Sequence, residues 1–325
     1  MNSNNKELLA ESYFNQNVIS KGLPSFMIIE PTNFCNLKCI MCPYPSMVRK
    51  KTHMDFDLYK DIINQVQNHV EFIWLHLYSE SLLNENIYKM IDYAENRNVK
   101  TGLSTNATLL NDKNINLLLN TQLDILIIAM DGLKKDTYEN IRRGATFEKT
   151  KSNIENFMYH KNCSGSKMKV VMQCINMKQT KDEINIFKNY WSKFKFENIL
   201  IKNFHNFAGQ IDSINILNNV ENNKNTGNKI CYEPWTGITV QSNGDVVPCC
   251  NDYDGRYLIG NCNTEPIKKL WNNDKTQELR RMFIKNSSRS GTLYENCSTP
   301  CTKKENLSNC NPFESYTFHS KHFLN

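Results

Sequence analysis

Twelve cysteines in 325 residues are the side chains on which chemistry can first be argued. The polar opening MNSNNKELLAESYFNQ lacks the apolar core of a secretory signal, so a cytoplasmic protein is expected. In a reducing compartment disulfides are rare, and thiolates kept in number more often hold metal. They fall in two groups. Cys35, Cys39 and Cys42 lie near the start, and Cys231, Cys249, Cys250, Cys262, Cys297, Cys301 and Cys310 lie near the end. Cys163 and Cys174, between them, read as buried small apolar side chains. Spacings of four and three let the first trio converge on one small object. A zinc ion would want a fourth protein ligand, and only His53 is near in sequence. A 4Fe-4S cube held by three thiolates would instead keep one iron open to a non-protein ligand, which suits catalysis.

Positioning such groups needs a scaffold, and the sequence shows one. From about residue 25 to 205, short apolar runs alternate with longer amphipathic stretches, the pattern of parallel βα units. Strands are expected at Phe26 to Glu30, Phe72 to Leu77, Lys100 to Ser104, Ile125 to Met130, Lys169 to Asn176 and Asn198 to Asn203. Helices are expected at Asp57 to Val70, Asn86 to Asn96, Asp112 to Asn120, Thr150 to His160 and Thr180 to Lys193. The fold class that follows is α/β: a partial (β/α)6 TIM-like barrel, then a small cysteine-rich α+β domain. Its chemistry should sit on loops leaving the carboxyl ends of the strands. Asn218 to Lys229 reads as a linker or surface loop, and Asn243-Gly244 is a hairpin turn between Gly237 to Gln241 and Asp245 to Val247. Short helices at Ile267 to Trp271 and Thr276 to Ile284 lead on to Cys297. We divide the chain into an extension at 1–23, the barrel at 24–215 and the cysteine-rich domain at 216–325. The formal charge of +6 is spread without long like-charged runs, so nucleic acid is not expected, and no apolar stretch is long enough to span a membrane.

With a strand before it and βα repeats after it, the Cys-x3-Cys-x2-Cys loop resembles that of the radical S-adenosylmethionine (SAM) superfamily. The resemblance covers about residues 24 to 205. It implies that Cys35, Cys39 and Cys42 hold the SAM-binding 4Fe-4S cluster. Tyr78-Ser79-Glu80-Ser81-Leu82-Leu83 stands where the family has a Gly-Gly-Glu-Pro-like motif. Only Glu80 remains of it, as a partner for the SAM ammonium. Ser104-Thr105-Asn106 resembles the ribose-contacting segment, which implies Ser104 and Asn106 as contacts. Met130-Asp131-Gly132 and Ile141-Arg142-Arg143-Gly144 resemble segments of members with extra clusters, which implies Arg143, with Arg142 second, as the partner of the SAM carboxylate.

The tail reads Cys-x12-Gly-x4-Cys from Cys231 to Cys249, with Cys231-Tyr232-Glu233-Pro234-Trp235 and Ile259-Gly260-Asn261 around it. This is similar to the SPASM and twitch domains of one branch of the superfamily, named for auxiliary iron-sulfur clusters. The longer run of closely spaced cysteines of a full SPASM domain is missing. One auxiliary 4Fe-4S cluster on Cys231, Cys249, Cys297 and Cys301 is therefore expected, with Cys250, Cys262 and Cys310 left for a second.

The resemblance implies an enzyme that cleaves SAM reductively to a 5′-deoxyadenosyl radical and abstracts a substrate hydrogen atom. An auxiliary cluster that accepts an electron favours oxidation of a small polar alcohol or amine, such as a sugar or aminocyclitol. The alternative is a maturase acting on a peptide; more remote is a zinc-stabilised binding protein without catalysis. The chain carries no peptide-recruiting stretch before its first strand, which tilts the expectation toward the small molecule. His76, Lys202 and His205 are the candidate catalytic residues. Arg49-Lys50-Lys51 is a candidate docking patch for an electron donor such as flavodoxin or ferredoxin.

Overall fold

A computed structural model describes residues 3–218 and 230–285, with Thr292, Tyr294, Glu295 and Cys297. Cys301, Cys310 and positions 219–229 of the expected linker lie outside the described residues. Six parallel strands form the barrel wall: β1 (Phe26–Ile29), β2 (Phe72–Trp74), β3 (Lys100–Thr105), β4 (Ile125–Ala129), β5 (Lys169–Asn176) and β6 (Asn198–Asn203). The sheet does not stop at β1. Strand β7 (Gly237–Val240) runs parallel to β1 over four residue pairs, Phe26 with Gly237 through Ile29 with Val240. Strands β8 (Asp245–Val247) and β9 (Gly260–Asn261) follow antiparallel. The order is therefore β6-β5-β4-β3-β2-β1-β7-β8-β9, and the expected second domain shares one sheet with the barrel.

The helices are α1 (Ser3–Phe14), α2 (Phe56–Val66), α3 (Ile87–Glu95), α4 (Asp112–Leu119), α5 (Lys135–Ile141), α6 (Phe147–Ser164), α7 (Ile184–Trp191), α8 (Asp212–Asn215), α9 (Ile267–Leu270) and α10 (Asp274–Ile284). Helix α2 shows how the local code works. Asp55 caps it by accepting from the backbone of Asp57 and Leu58, and Tyr59, Ile62, Ile63 and Val66 bury one face. Three helices, α1, α5 and the short α8, were not expected from the sequence. Lys134 at the start of α5 supplies no side-chain cap. The Glu183 carboxylate does so from just before α7, accepting from Leu133 N at 2.7 Å and Lys134 N at 3.0 Å. Helix α1 is held by contacts equally remote in sequence: Tyr13 Oη donates to Ile230 O at 2.7 Å, and Trp235 Nε1 donates to Asn17 O at 2.8 Å. Of the two middle cysteines Cys174 is buried, but Cys163 is exposed because α6 runs on to Ser164 and carries it in its last turn.

Strand alternation fills the lumen in tiers. Phe26, Phe72, Trp74, Ile125, Ile127, Val171 and Leu200 pack together as an apolar floor. Gly102 on β3 leaves room for an indole: a Cβ built there would stand 2.3 Å from Trp74 Cζ3. Gly102→Val should therefore lower the unfolding free energy by about 1–3 kcal/mol, the usual range for overpacking, read as a shift of the denaturant midpoint.

Candidate active site

Above the floor, at the carboxyl ends of the strands, lies a cavity of about 370 Å³. Cys35, Cys39 and Cys42 line it, as do Cys231, Cys249, Cys250 and Cys297, so both cysteine groups open on one space. The first trio sits on a loop pinned by backbone bonds to the end of α5: Lys38 N donates to Arg143 O at 2.9 Å and Ile40 N to Ile141 O at 3.0 Å. Tyr44 Oη closes the loop from below, accepting from Cys35 N and donating to Cys35 O. Burial pushes the Cys35 thiol up to about 11 and raises Cys39 and Cys42 as well, so without a bound cation these sulfurs keep their protons. His53, the nearest imidazole in sequence, stacks on Phe34 and takes no place in the cavity wall.

The thiols fit a cluster better than an ion. Four ligands on a zinc ion at about 2.3 Å would stand about 3.8 Å apart. Among the described residues no three His, Cys, Asp or Glu side chains close on a single point in that way. Each group instead borders open space, as a bulky iron-sulfur cube requires.

Glu80, expected as a partner for the SAM ammonium, lies behind the cavity wall. It is fully buried and is not part of the cavity wall. Its carboxylate accepts from Thr105 Oγ1 at 2.9 Å and from Asn106 N at 2.8 Å, while its own N–H donates to Phe34 O at 3.0 Å. It braces the cysteine loop to the end of β3. Burial raises its carboxyl to about 7 against those hydrogen bonds. The strand ends at Trp74, and beyond it His76, Leu77, Tyr78 and Ser79 all border the cavity, so strict alternation is lost before Glu80. The Ser79 hydroxyl is buried on that wall with no hydrogen-bond partner among the described residues.

Ser104, Thr105 and Asn106 line the cavity as expected, and Asn106 Nδ2 donates to Asn36 Oδ1 at 3.0 Å within the cysteine loop. The two arginines lie in different surroundings. Arg143 is exposed and contributes only its carbonyl, whereas Arg142 is buried, lines the cavity and hydrogen-bonds toward the Cys39 sulfur. Helix α5 ends at Ile141, and the backbone of Arg142 leaves the helical region there. Its guanidinium is then caught by Asp131, at 2.6 Å from Nη2 and 2.8 Å from Nε, and aimed inward.

His76, Lys202 and His205 line the same cavity. Burial, with the Lys202 charge, lowers His76 to about 3 and His205 to about 4, so both rings are neutral. His205 packs edge-on against Phe207, and Phe207 against Tyr78.

Around the second cysteine group, Cys249 feels the charges of Cys250, Cys297 and Cys231. Cys250 hydrogen-bonds with Tyr78 and belongs to this set. Cys262 does not: it packs against the main core beyond the hairpin, with its N–H on Gly244 O at 2.8 Å. The structure thus separates Cys250 from Cys262 and counts against these two sharing a second auxiliary cluster. Two wall residues went unremarked in the sequence. Glu233 follows Cys231 by two positions, and Gln173 falls on the lumen-facing alternation of β5 two positions after Val171; both signals were there to read. The expected basic patch dissolves as well. Arg49 pairs with buried Glu30 at 2.8 Å, Lys51 donates to Asn33 O and lies over the Tyr44 ring, and only Lys50 projects.

The family model described as the radical SAM superfamily matches residues 29–179, and that of the iron-sulfur cluster-binding SPASM domain matches residues 231–302. The chain belongs to the radical SAM superfamily. Relatives align along most of its length. The tungsten-containing aldehyde ferredoxin oxidoreductase cofactor-modifying protein of Pyrococcus furiosus is 22% identical over 86% of this chain and 88% of its own. The S-adenosyl-L-methionine-dependent 2-deoxy-scyllo-inosamine dehydrogenase of Niallia circulans is 22% identical over 86% of this chain and 95% of its own. Among solved structures, BtrN in complex with AdoMet and 2-DOIA superposes with a TM-score of 0.59 at 22% identity, covering 85% of this chain and 94% of that one. Streptococcus suis SuiB bound to precursor peptide SuiA gives 0.65 at 16% identity, covering 83% and 70%. These likenesses establish the fold. As a radical SAM enzyme with a SPASM domain, the chain works with SAM, a 4Fe-4S cluster and auxiliary iron-sulfur chemistry. Among the described residues no helix is long and apolar enough to cross a membrane.

The difference between the arginines is measurable. Arg142→Gln should weaken SAM binding to the reconstituted protein by about 1.5–3 kcal/mol, the range for a charge-assisted hydrogen bond, whereas Arg143→Ala should leave it within experimental error. Calorimetric titration at matched iron content decides between them.

Proposed function

We propose that the protein oxidises a carbon bearing a hydroxyl or amine in a small polar substrate, within the cavity between its two thiol groups. The observation that carries this reading is that both groups line one space, so a substrate bound there borders a hydrogen-atom acceptor on one side and an electron acceptor on the other. The bound groups supply hydrogen-atom abstraction by a SAM-derived radical and acceptance of one electron at an auxiliary cluster. The substrate carbon thereby loses one hydrogen atom, the carbon radical gives up one electron, and the attached hydroxyl or amine loses one proton, which leaves a carbonyl or imine.

The chain's own residues hold these parts in place. Cys35, Cys39 and Cys42 would hold the SAM-binding cluster, and Cys231, Cys249 and Cys297 with Cys301 the auxiliary one. Arg142 would take the SAM carboxylate, Ser104 and Asn106 the ribose, and the unpartnered Ser79 hydroxyl is placed to accept from the ammonium. The apolar floor keeps water away from the carbon that reacts. The neutral imidazole of His76, whose Nδ1 has no partner among the described residues, can receive the departing proton. The aminocyclitol dehydrogenase that aligns along most of the chain supports the reading. The likeness to SuiB with its peptide favours a second one, modification of a peptide side chain in the same cavity. A small electron-transfer protein such as flavodoxin or ferredoxin would deliver the electron, and the sequestered Arg49 and Lys51 direct its docking away from the basic trio.

Anaerobic reconstitution should give about eight iron atoms per chain, and replacing Cys35, Cys39 and Cys42 together by alanine should leave about four, by iron and sulfide analysis. With a deuterated substrate, the label should appear in 5′-deoxyadenosine and the product should be two electrons more oxidised. A product of unchanged oxidation state would overturn the dehydrogenase reading.

A further inference from the structure

We propose that the substrate carries an anionic group, a carboxylate or phosphate, which docks on Lys202 between His76 and His205. The inference rests on the cavity being the substrate site, as argued above, and narrows what that substrate is.

It starts from the tiers of the lumen. One step above the apolar floor, the inward alternation of β3 to β6 brings Ser104, Ala129, Gln173 and Lys202 onto the cavity wall, with His76 beyond the end of β2. Lys202 is the only one of these with a fixed charge. Its side chain is exposed on the cavity wall, and the protein around it lowers its pKa through partial desolvation.

The charges that reach it are those of Cys250 and, more weakly, Asp131. Among the described residues Lys202 has no carboxylate within ion-pair distance. The carboxylate whose field reaches it, Asp131, is already committed: Oδ2 holds Arg142, and Oδ1 accepts from Ile175 N at 2.7 Å. Glu233, the other acid on the wall, owes its own shift to burial alone and does not enter the environment of Lys202. An anion that enters the cavity therefore meets an ammonium that no carboxylate holds.

The neighbours suit an anion too. His205 Nδ1 accepts from Phe207 N at 3.3 Å, so the neutral ring carries its proton on Nε2 and donates from there. His76 Nδ1 has no partner among the described residues, and the Lys202 charge is felt at both rings. Lysine and two imidazoles make a donor set for carboxylate or phosphate oxygens and repel a cationic amine. Among the alternatives above, this favours an alcohol on an acidic molecule over an aminocyclitol.

The test reads binding without turnover. The anaerobically reconstituted, SAM-loaded enzyme is titrated calorimetrically with inorganic phosphate, with acetate and with methylammonium. Saturable binding of phosphate or acetate but not of methylammonium is expected, and the tighter of the two anions identifies the group. Lys202→Gln should weaken that anion by about tenfold, the loss of one charge-assisted hydrogen bond, and Lys202→Arg should restore it. Iron content and the auxiliary cluster's midpoint potential are measured on the same samples. Equal anion binding by wild type and Lys202→Gln, or none by either, overturns the proposal. So does a Lys202→Gln variant that shifts the potential while keeping anion affinity, for the lysine would then serve the cluster. Because no product is formed, anion binding can hold even if the deuterium experiment refutes oxidation, and the reverse is equally visible.

Discussion

Strand β1 is hydrogen-bonded on both edges, to β2 within the barrel and to β7 from the C-terminal part. That double pairing puts the loop carrying Cys35, Cys39 and Cys42 beside the hairpin that carries Cys249 and Cys250. The connection is reinforced just past the strand. Glu30 N donates to Val240 O, and the buried Glu30 carboxylate accepts from Ser242 N and pairs with Arg49, which reaches Tyr253 O at 2.6 Å. Four segments thus meet at one desolvated carboxylate. Removing a single partner from such a site leaves a buried charge unsatisfied, so the arrangement is strongly specified even where its net stabilisation is small.

The rest of the site hangs from that frame in layers. Aromatic and branched side chains close the bottom of the lumen, and Gly102 lets the Trp74 indole lie across it. Polar residues follow one alternation higher, and the cysteine loops form the rim. The order matters chemically, because a primary carbon radical attacks nearly anything within reach, and a dry, tightly filled base leaves the substrate as its nearest target.

Several side chains that look like ligands prove to be braces. Glu80 joins three loops through its two oxygens and its own N–H, and Asp131 fixes Arg142 on one side and the backbone of Ile175 on the other. A carboxylate held by backbone donors is a rigid joint, and rigid joints are what hold reacting groups in place when chemistry depends on position.

Much of this was legible in the residues alone. The six strands and most helices follow from periodicity, because each apolar face must be buried against the next element and the pattern of burial is local. The cysteine loop was legible for the same reason: its three thiols are close in sequence and act on one object. Tertiary structure decided what depended on distant partners. Helix α5 is capped by Glu183 and helix α1 is held from Ile230 and Trp235, contacts that no local window contains. The choice of Arg142 over Arg143 turned on where α5 stops and on Asp131 across the barrel. Glu80 lies outside the cavity wall because β2 ends at Trp74 and the pleat no longer dictates direction beyond it. That no carboxylate pairs with Lys202 could be seen only when the described carboxylates around it had been placed, since an ion pair is made by the fold and never by one residue's own sequence.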